Sequence, residues 1–279
     1  MAKKQKTLCS AIKATGYGRL KQKRIHMQLC PAAENSGIIF RRMDLPGQPE
    51  IKANLDNAIN CRHGVTLQKG LVAVSAATPL LATLYALGID NVVVELQGAE
   101  IPIIGDSLDA YVFLIKAAGI RELSQNKLCF SQRRPIQVFD GQAWLRLLPG
   151  KQLALGSASN ALNIGSSRPD YLIHFSDALF SSQICHTRLS QNHFAINLNS
   201  VNAHQQSRQQ QAGQFYLLLA ELALVGAECQ GVLLANQADK HMLRRLLRIL
   251  VREQQNQRQS HSVTRTLRPV FPLGVASTA

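Results

Sequence analysis

Aromatic residues make up 5% of the 279 residues, Trp occurs once, and Asp and Glu together number 17 against 31 lysines and arginines. So few aromatics leave little on which nucleic-acid bases can stack, and the basic residues form no stripe interleaved with them, so nucleic acid is not the expected partner. No apolar run approaches the roughly 18 residues that span a bilayer. The first residues, Met1-Ala2-Lys3-Lys4-Gln5-Lys6, lack the apolar core of a secretory signal, and the cytosol is the expected compartment. Cysteines stand at 9, 30, 61, 129, 185 and 229 with no C-x-x-C pair, which argues for reduced, mostly buried thiols and against a disulfide framework or a thiolate zinc site. Also missing are a nucleophile elbow, a Gly-rich phosphate loop and a persuasive Ser-His-Asp order, so a metal-free hydrolase is not expected.

Positive charge is present in excess: +14 at neutral pH, with a pI near 9.9. Its clusters, Lys3 to Lys6, Arg19 to Arg24, Arg41-Arg42, Arg133-Arg134 and Lys240 to Arg252, make a field that attracts phosphates. Nucleotide sugars and an anionic membrane surface suit such a field. At 46% hydrophobic and 17% charged, the chain has the composition of a folded protein long enough for two modest domains.

Ile25, Met27 and Leu29 alternate with Arg24, His26 and Gln28 and predict a strand ending at Pro31. The polar turn Glu34-Asn35-Ser36-Gly37 leads to a second strand at Ile38-Ile39-Phe40, and the two together predict a half-buried hairpin. Thr78-Pro79 before Leu80, Leu81, Leu84, Tyr85 and Leu87 predicts a short helix, with Thr78 as its N-cap, Pro79 as its first residue and Gly88 as its stop. Val92-Val93-Val94 reads as a buried strand, and Asp106 to Asp109 as the start of a helix ending near Gly119. A first domain over 1–123 closes there. The polar link Ser124 to Lys127 opens a second, 124–262, beginning with a strand at Ile136 to Phe139 and the turn Asp140-Gly141. Gln183 to Gln211, rich in Gln, Asn, Ser and His, predicts a mobile or partly ordered segment with an apolar alternation at Phe194, Ile196 and Leu198. A buried helix over Phe215 to Leu224, ending at Gly226, and a strand at Val232 to Leu234 follow. The helix predicted over Asp239 to Gln254 is amphipathic, with Leu243, Leu246, Leu247 and Leu250 on one side and Lys240, Arg244, Arg245, Arg248 and Arg252 on a solvated back. Residues 263–279 read as a loose tail.

Several short stretches occur in order along the chain: Ala14-Thr15-Gly16-Tyr17-Gly18, Leu29-Cys30-Pro31-Ala32, Asn35 to Leu45, Leu87 to Glu95, Glu100-Ile101-Pro102-Ile103 and Ala118-Gly119-Ile120. Through them the chain closely resembles the zinc-dependent UDP-3-O-acyl-N-acetylglucosamine deacetylases of lipid A synthesis. The resemblance implies an α+β fold of two similar domains, each a β-sheet layered with helices, facing each other across a cleft. It is extensive in the first domain and holds in outline in the second, where the polar stretch after Gln183 takes the place of the family's acyl-chain passage.

By the same resemblance, Thr78 and Pro79 stand where the family has its general-base Glu and a zinc-ligating His. Threonine has no carboxylate to take a proton near neutral pH, and proline has no side-chain donor atom. The family's His-x-x-x-Asp ligand pair falls at Gly213 and Leu217, and its general-acid His near Asp239, which reads instead as a helix cap. No His in the chain is followed four residues later by Asp, and no Glu-His dipeptide occurs. Other donor pairs, His174 with Asp177, His186 with Cys185 and Asp239 with His241, offer two ligands each where a tetrahedral site takes four.

The expectation is therefore a deacetylase relative with no catalytic residue, no zinc or other cofactor and no enzymatic activity. Such a pseudoenzyme of Gram-negative lipopolysaccharide synthesis would work by binding a protein, the genuine deacetylase or the machinery that controls its amount. The tail Phe271 to Ala279 resembles those by which some family members are handed to a membrane-bound protease. The alternatives are a sensor that binds the UDP-sugar lipid without hydrolysing it, and a basic protein on nucleic acid or in peripheral contact with an anionic membrane.

Overall fold

The structure, a computed structural model, describes residues 3–61, 64–157, 171–186 and 208–266. The first half runs β1 (Lys4–Leu8), β2 (Ile12–Tyr17), β3 (Arg24–Pro31), β4 (Ile38–Arg42), β5 (Glu50–Lys52), β6 (Ala58–Cys61), β7 (Gly64–Lys69), β8 (Val72–Val74), α1 (Thr78–Ala86), β9 (Val92–Leu96), α2 (Asp109–Ala118) and β10 (Ile120–Asn126). The second runs β11 (Cys129–Ser131), β12 (Ile136–Asp140), β13 (Ala143–Leu148), β14 (Leu153–Ser157), β15 (Tyr171–His174), α3 (Asp177–Leu179) leading into a π-helical turn (Phe180–Ile184), α4 (Arg208–Ala223), β16 (Glu228–Asn236) and α5 (Lys240–Thr266).

The two main sheets share one plan. In the first the order is β2-β3-β9-β4-β5, and in the second β12-β13-β16-β14-β15. In each, the strand made last lies at the centre, antiparallel to one neighbour (β3 or β13) and parallel to the other (β4 or β14). A helix precedes each central strand, α1 before β9 and α4 before β16. The α+β class and the similar layout of the halves are thus as the resemblance implied.

The period-two alternation produces β3, which buries Ile25, Met27 and Leu29. The predicted hairpin of β3 with β4 does not form, because β9 lies between them. Alternation fixes which face of a strand is buried, not which strand pairs with it, and the apolar run Val92 to Val94 suits a central position. Helix α1 ends as predicted: Gly88 takes φ 70°, its N–H donates to Tyr85 O at 3.0 Å, and the Ile89 N–H reaches back to Leu84 O at 2.9 Å. Its start differs, since Ala77 occupies the N-cap position and Thr78 is already helical.

In α4 the helix begins at Arg208, seven residues before Phe215, and α5 continues past Gln254 to Thr266, because Gln and Arg favour helix even where no apolar stripe marks it. Of the segment predicted to be mobile, Gln183 to His186 complete the π-turn and the two residues after it, and Arg208 to Gln211 begin α4. Phe194, Ile196 and Leu198, and the tail from residue 267 on, lie outside the described residues. The thiols are less buried than expected: among the described residues Cys185 and Cys229 are buried, Cys30 is half-buried, and Cys9 and Cys129 are exposed.

The halves meet along α1 and α4, whose Leu80, Leu81 and Leu84 and Phe215, Leu218 and Leu219 belong to one continuous core. Each fully buried side chain of this kind stabilises by about 1.5–3 kcal/mol. Polar ties reinforce the joint. The Cys229 N–H donates to the Tyr85 hydroxyl at 3.0 Å, and Lys127 donates to Gly88 O at 3.0 Å while pairing with Asp90. Arg244, expected on the solvated back of α5, is 2% exposed, because Glu221 of α4 receives it.

Candidate functional site

The chain turns from β8 into α1 through Ser75-Ala76-Ala77. Ser75 bridges to Glu100, and Ala76 takes φ 56°, a left-handed conformation that a non-Gly residue adopts only when its surroundings impose it. Val65 of β7 holds the corner from both sides. Its carbonyl accepts from the Ala77 N–H at 3.0 Å, and its N–H donates to Thr78 Oγ1 at 2.8 Å. Thr78 is 1% exposed and Pro79 is buried beside it, with its carbonyl accepting from Thr83 Oγ1 at 2.8 Å.

The two helices that pack across the halves carry four of the five singled-out positions: Thr78 and Pro79 on α1, and Gly213 and Leu217 on α4. Leu217 is a buried aliphatic side chain. Asp239 stands exposed at the start of α5, where its carboxylate accepts from the Met242 N–H at 2.9 Å, the cap read from the sequence. The zinc of the resembled family does not fit these residues. The Thr78 hydroxyl is committed to Val65, Pro79 and Leu217 offer no donor atom, and the Asp239 carboxylate closes a helix end.

A donor cluster forms elsewhere. His186 Nδ1 lies 2.9 Å from Asp109 Oδ2, and the ligand atoms of Asp109, Cys185 and His186 all fall within 4.8 Å of one another. The pair Cys185-His186 is visible in the sequence, but Asp109 lies 77 residues before His186 and no local pattern announces it. His174, Asp177, Asp239 and His241 are exposed and, among the described residues, join no third donor.

Between the halves opens a cavity of about 1370 Å³. Lys52, Lys151, Arg248 and Arg252 line it, exposed, together with the half-buried Tyr85, Leu87 and Phe175 and the buried Phe180. It opens at the C-terminal ends of α1 and α4, and none of Thr78, Pro79, Gly213, Leu217 and Asp239 lines it. Among the described residues no helix is long and apolar enough to cross a membrane.

The family model LpxC, UDP-3-O-acyl N-acetylglycosamine deacetylase, matches residues 5–211. Over 146 residues the chain is 42% identical to the UDP-3-O-acyl-N-acetylglucosamine deacetylase of Methylococcus capsulatus, covering 52% of this chain and 48% of that protein. Over 187 residues it is 35% identical to the protein of that name from Cellvibrio japonicus, covering 66% of this chain and 62% of that one. The chain thus spans about half the length of the curated relatives it matches.

These relatives overturn the expectation that the chain is no enzyme, since proteins 35–42% identical to it are deacetylases by name. The misfit of zinc to Thr78, Pro79 and Leu217 concerns one set of ligand positions and does not decide activity.

Proposed function

The chain belongs to the UDP-3-O-acyl-N-acetylglucosamine deacetylase family of lipid A biosynthesis, and on that premise we propose that it binds the family's UDP-sugar lipid in the cavity between its halves. The observation that carries the reading is the pairing of exposed cations with apolar side chains around one large space. Lys52 and Lys151 suit a diphosphate, Tyr85, Leu87, Phe175 and Phe180 suit an acyl chain, and a volume of about 1370 Å³ has room for both. The reading puts the chain in the cytosol, its positive charge against an anionic membrane surface.

Calorimetry with UDP-3-O-acyl-N-acetylglucosamine tests it. Binding heat is expected, weakened by added salt and by the double reversal Lys52→Glu, Lys151→Glu, while mass spectrometry of the same samples for the free amine reports deacetylation. Absence of heat from the parent chain rejects the reading.

A second reading, control of the deacetylation step through contact with another deacetylase of the family, draws on two exposed apolar side chains. Phe113 is 75% exposed on α2, and Leu71 is fully exposed between β7 and β8. Cross-linking to the purified deacetylase, lost in Phe113→Ser or Leu71→Ser, is the expected outcome; no cross-link removes this reading.

A further inference from the structure

We propose that Asp109, Cys185 and His186 form a binding site for a divalent transition-metal ion, with zinc the ion it suits best. The site is independent of the UDP-sugar reading and shares no residue with the cavity lining.

The donors come from both halves. Asp109 is the first residue of α2, while Cys185 and His186 follow directly on the π-helical turn. Turns of that kind are frequent at functional sites. A sulfur, a nitrogen and an oxygen together select zinc over magnesium or calcium, which take oxygen donors. Zinc bonds these donors at about 2.0–2.3 Å, which sets separations of about 3.4–3.8 Å between them in a tetrahedron. The 2.9 Å contact of His186 with Asp109 and the 4.8 Å limit on the cluster bracket that range, so the donors stand within about 1.5 Å of the separations a bound ion needs. Three protein ligands leave a fourth position for water or another ligand.

The surroundings are suitable. Ser107 Oγ donates to Asp109 Oδ2 at 2.9 Å, an outer contact that orients the carboxylate. Cys185 is buried, while His186 is exposed and Asp109 half-buried with its side chain 46% exposed, so the ion has a way in. Binding replaces the Cys185 S–H bond with an S–Zn bond, and the proton leaves to solvent. The contact with the Asp109 carboxylate needs a proton on His186 Nδ1; on binding, that nitrogen gives up its proton through solvent, the neutral imidazole carries its N–H on Nε2, and Nδ1 ligates the ion. Carboxylate and thiolate together cancel the charge of the ion. Zinc thus takes the place of the thiol proton, and its binding competes with protons.

The test uses the full chain, stripped by a chelator and then supplied with zinc or cobalt(II). One zinc per chain is expected by plasma mass spectrometry. The cobalt form is expected to show a thiolate-to-cobalt charge-transfer band with tetrahedral visible bands. Cys185→Ser abolishes that band, and Asp109→Asn and His186→Gln lose the metal with circular dichroism unchanged. The two latter variants change exposed side chains and carry the test if Cys185→Ser does not fold. A parent chain without stoichiometric metal, a cobalt spectrum without the thiolate band, or metal retained unaltered by all three variants overturns the site. Calorimetry with the UDP-sugar lipid on chelator-treated protein stands or falls separately.

Discussion

Arg244 and Glu221 form a two-pronged ion pair, Nε to Oε2 at 2.7 Å and Nη2 to Oε1 at 2.8 Å, with each side chain 2% exposed. Arg244 Nη1 also donates to the carbonyls of Ile59 at 2.8 Å and Ala58 at 3.4 Å, so one guanidinium on α5 holds α4 and the first half's β6. Removing one partner leaves a buried charge uncompensated. Glu221→Ala should cost about 3–5 kcal/mol in urea unfolding, and the double variant Glu221→Ala, Arg244→Met should recover a large part of it. A double variant whose loss equals the sum of the Glu221→Ala and Arg244→Met losses would mean that the pair is not coupled.

Thr78 serves the fold as the acceptor for the Val65 N–H. Thr78→Val keeps the shape and leaves that buried donor unpaired, for an expected loss of about 1–3 kcal/mol. Thr78→Ser keeps the acceptor and should lose less. Thermal unfolding of the two variants separates the hydroxyl from the methyl.

The Arg42 guanidinium grips Asp44 through two 2.8 Å contacts and, against the opposing effect of burial, holds its carboxyl below the usual carboxylate range. A depressed folded pKa gives stability that is present above the unfolded value of about 3.9 and is lost as pH falls through the folded one. The stability difference between the parent chain and Asp44→Asn should hold steady from neutral pH down to about pH 5 and shrink below about pH 4. A difference that grows on acidification would contradict the assignment.

Asp239→Ala removes the α5 cap and should cost about 1 kcal/mol, with Asp239→Asn restoring most of it. Urea midpoints of the three proteins decide this, and an alanine variant as stable as the parent would show the cap to be idle.

What could be read from the sequence was what neighbouring residues determine. Ile25, Met27 and Leu29 announce a strand, Gly88 announces a helix end and Asp239 a cap, because each signal lies within a few residues of its effect. Where the partner is distant, the signal is missing. Nothing near Val92 says that β9 will separate β3 from β4, and nothing near Arg244 says that Glu221 will bury it. Thr78 looked like a cap because threonine caps helices, but Val65, thirteen residues earlier, claims its hydroxyl. Of the candidate sites, the side-chain chemistry of Thr78, Pro79 and Leu217 was legible from the sequence. The Asp109, Cys185 and His186 cluster was not, since it depends on how α2 meets the π-turn.

The central place of β9 and β16 has a consequence for synthesis on the ribosome. Each is the last strand of its sheet to emerge, so β3 and β4, and later β13 and β14, wait with facing edges unpaired. For the second sheet the wait from residue 157 to residue 236 is about 4–16 s at a translation rate of roughly 5–20 residues per second. A product truncated before residue 228 keeps that gap permanently and exposes two strand edges of the kind that chaperones shield and aggregates recruit.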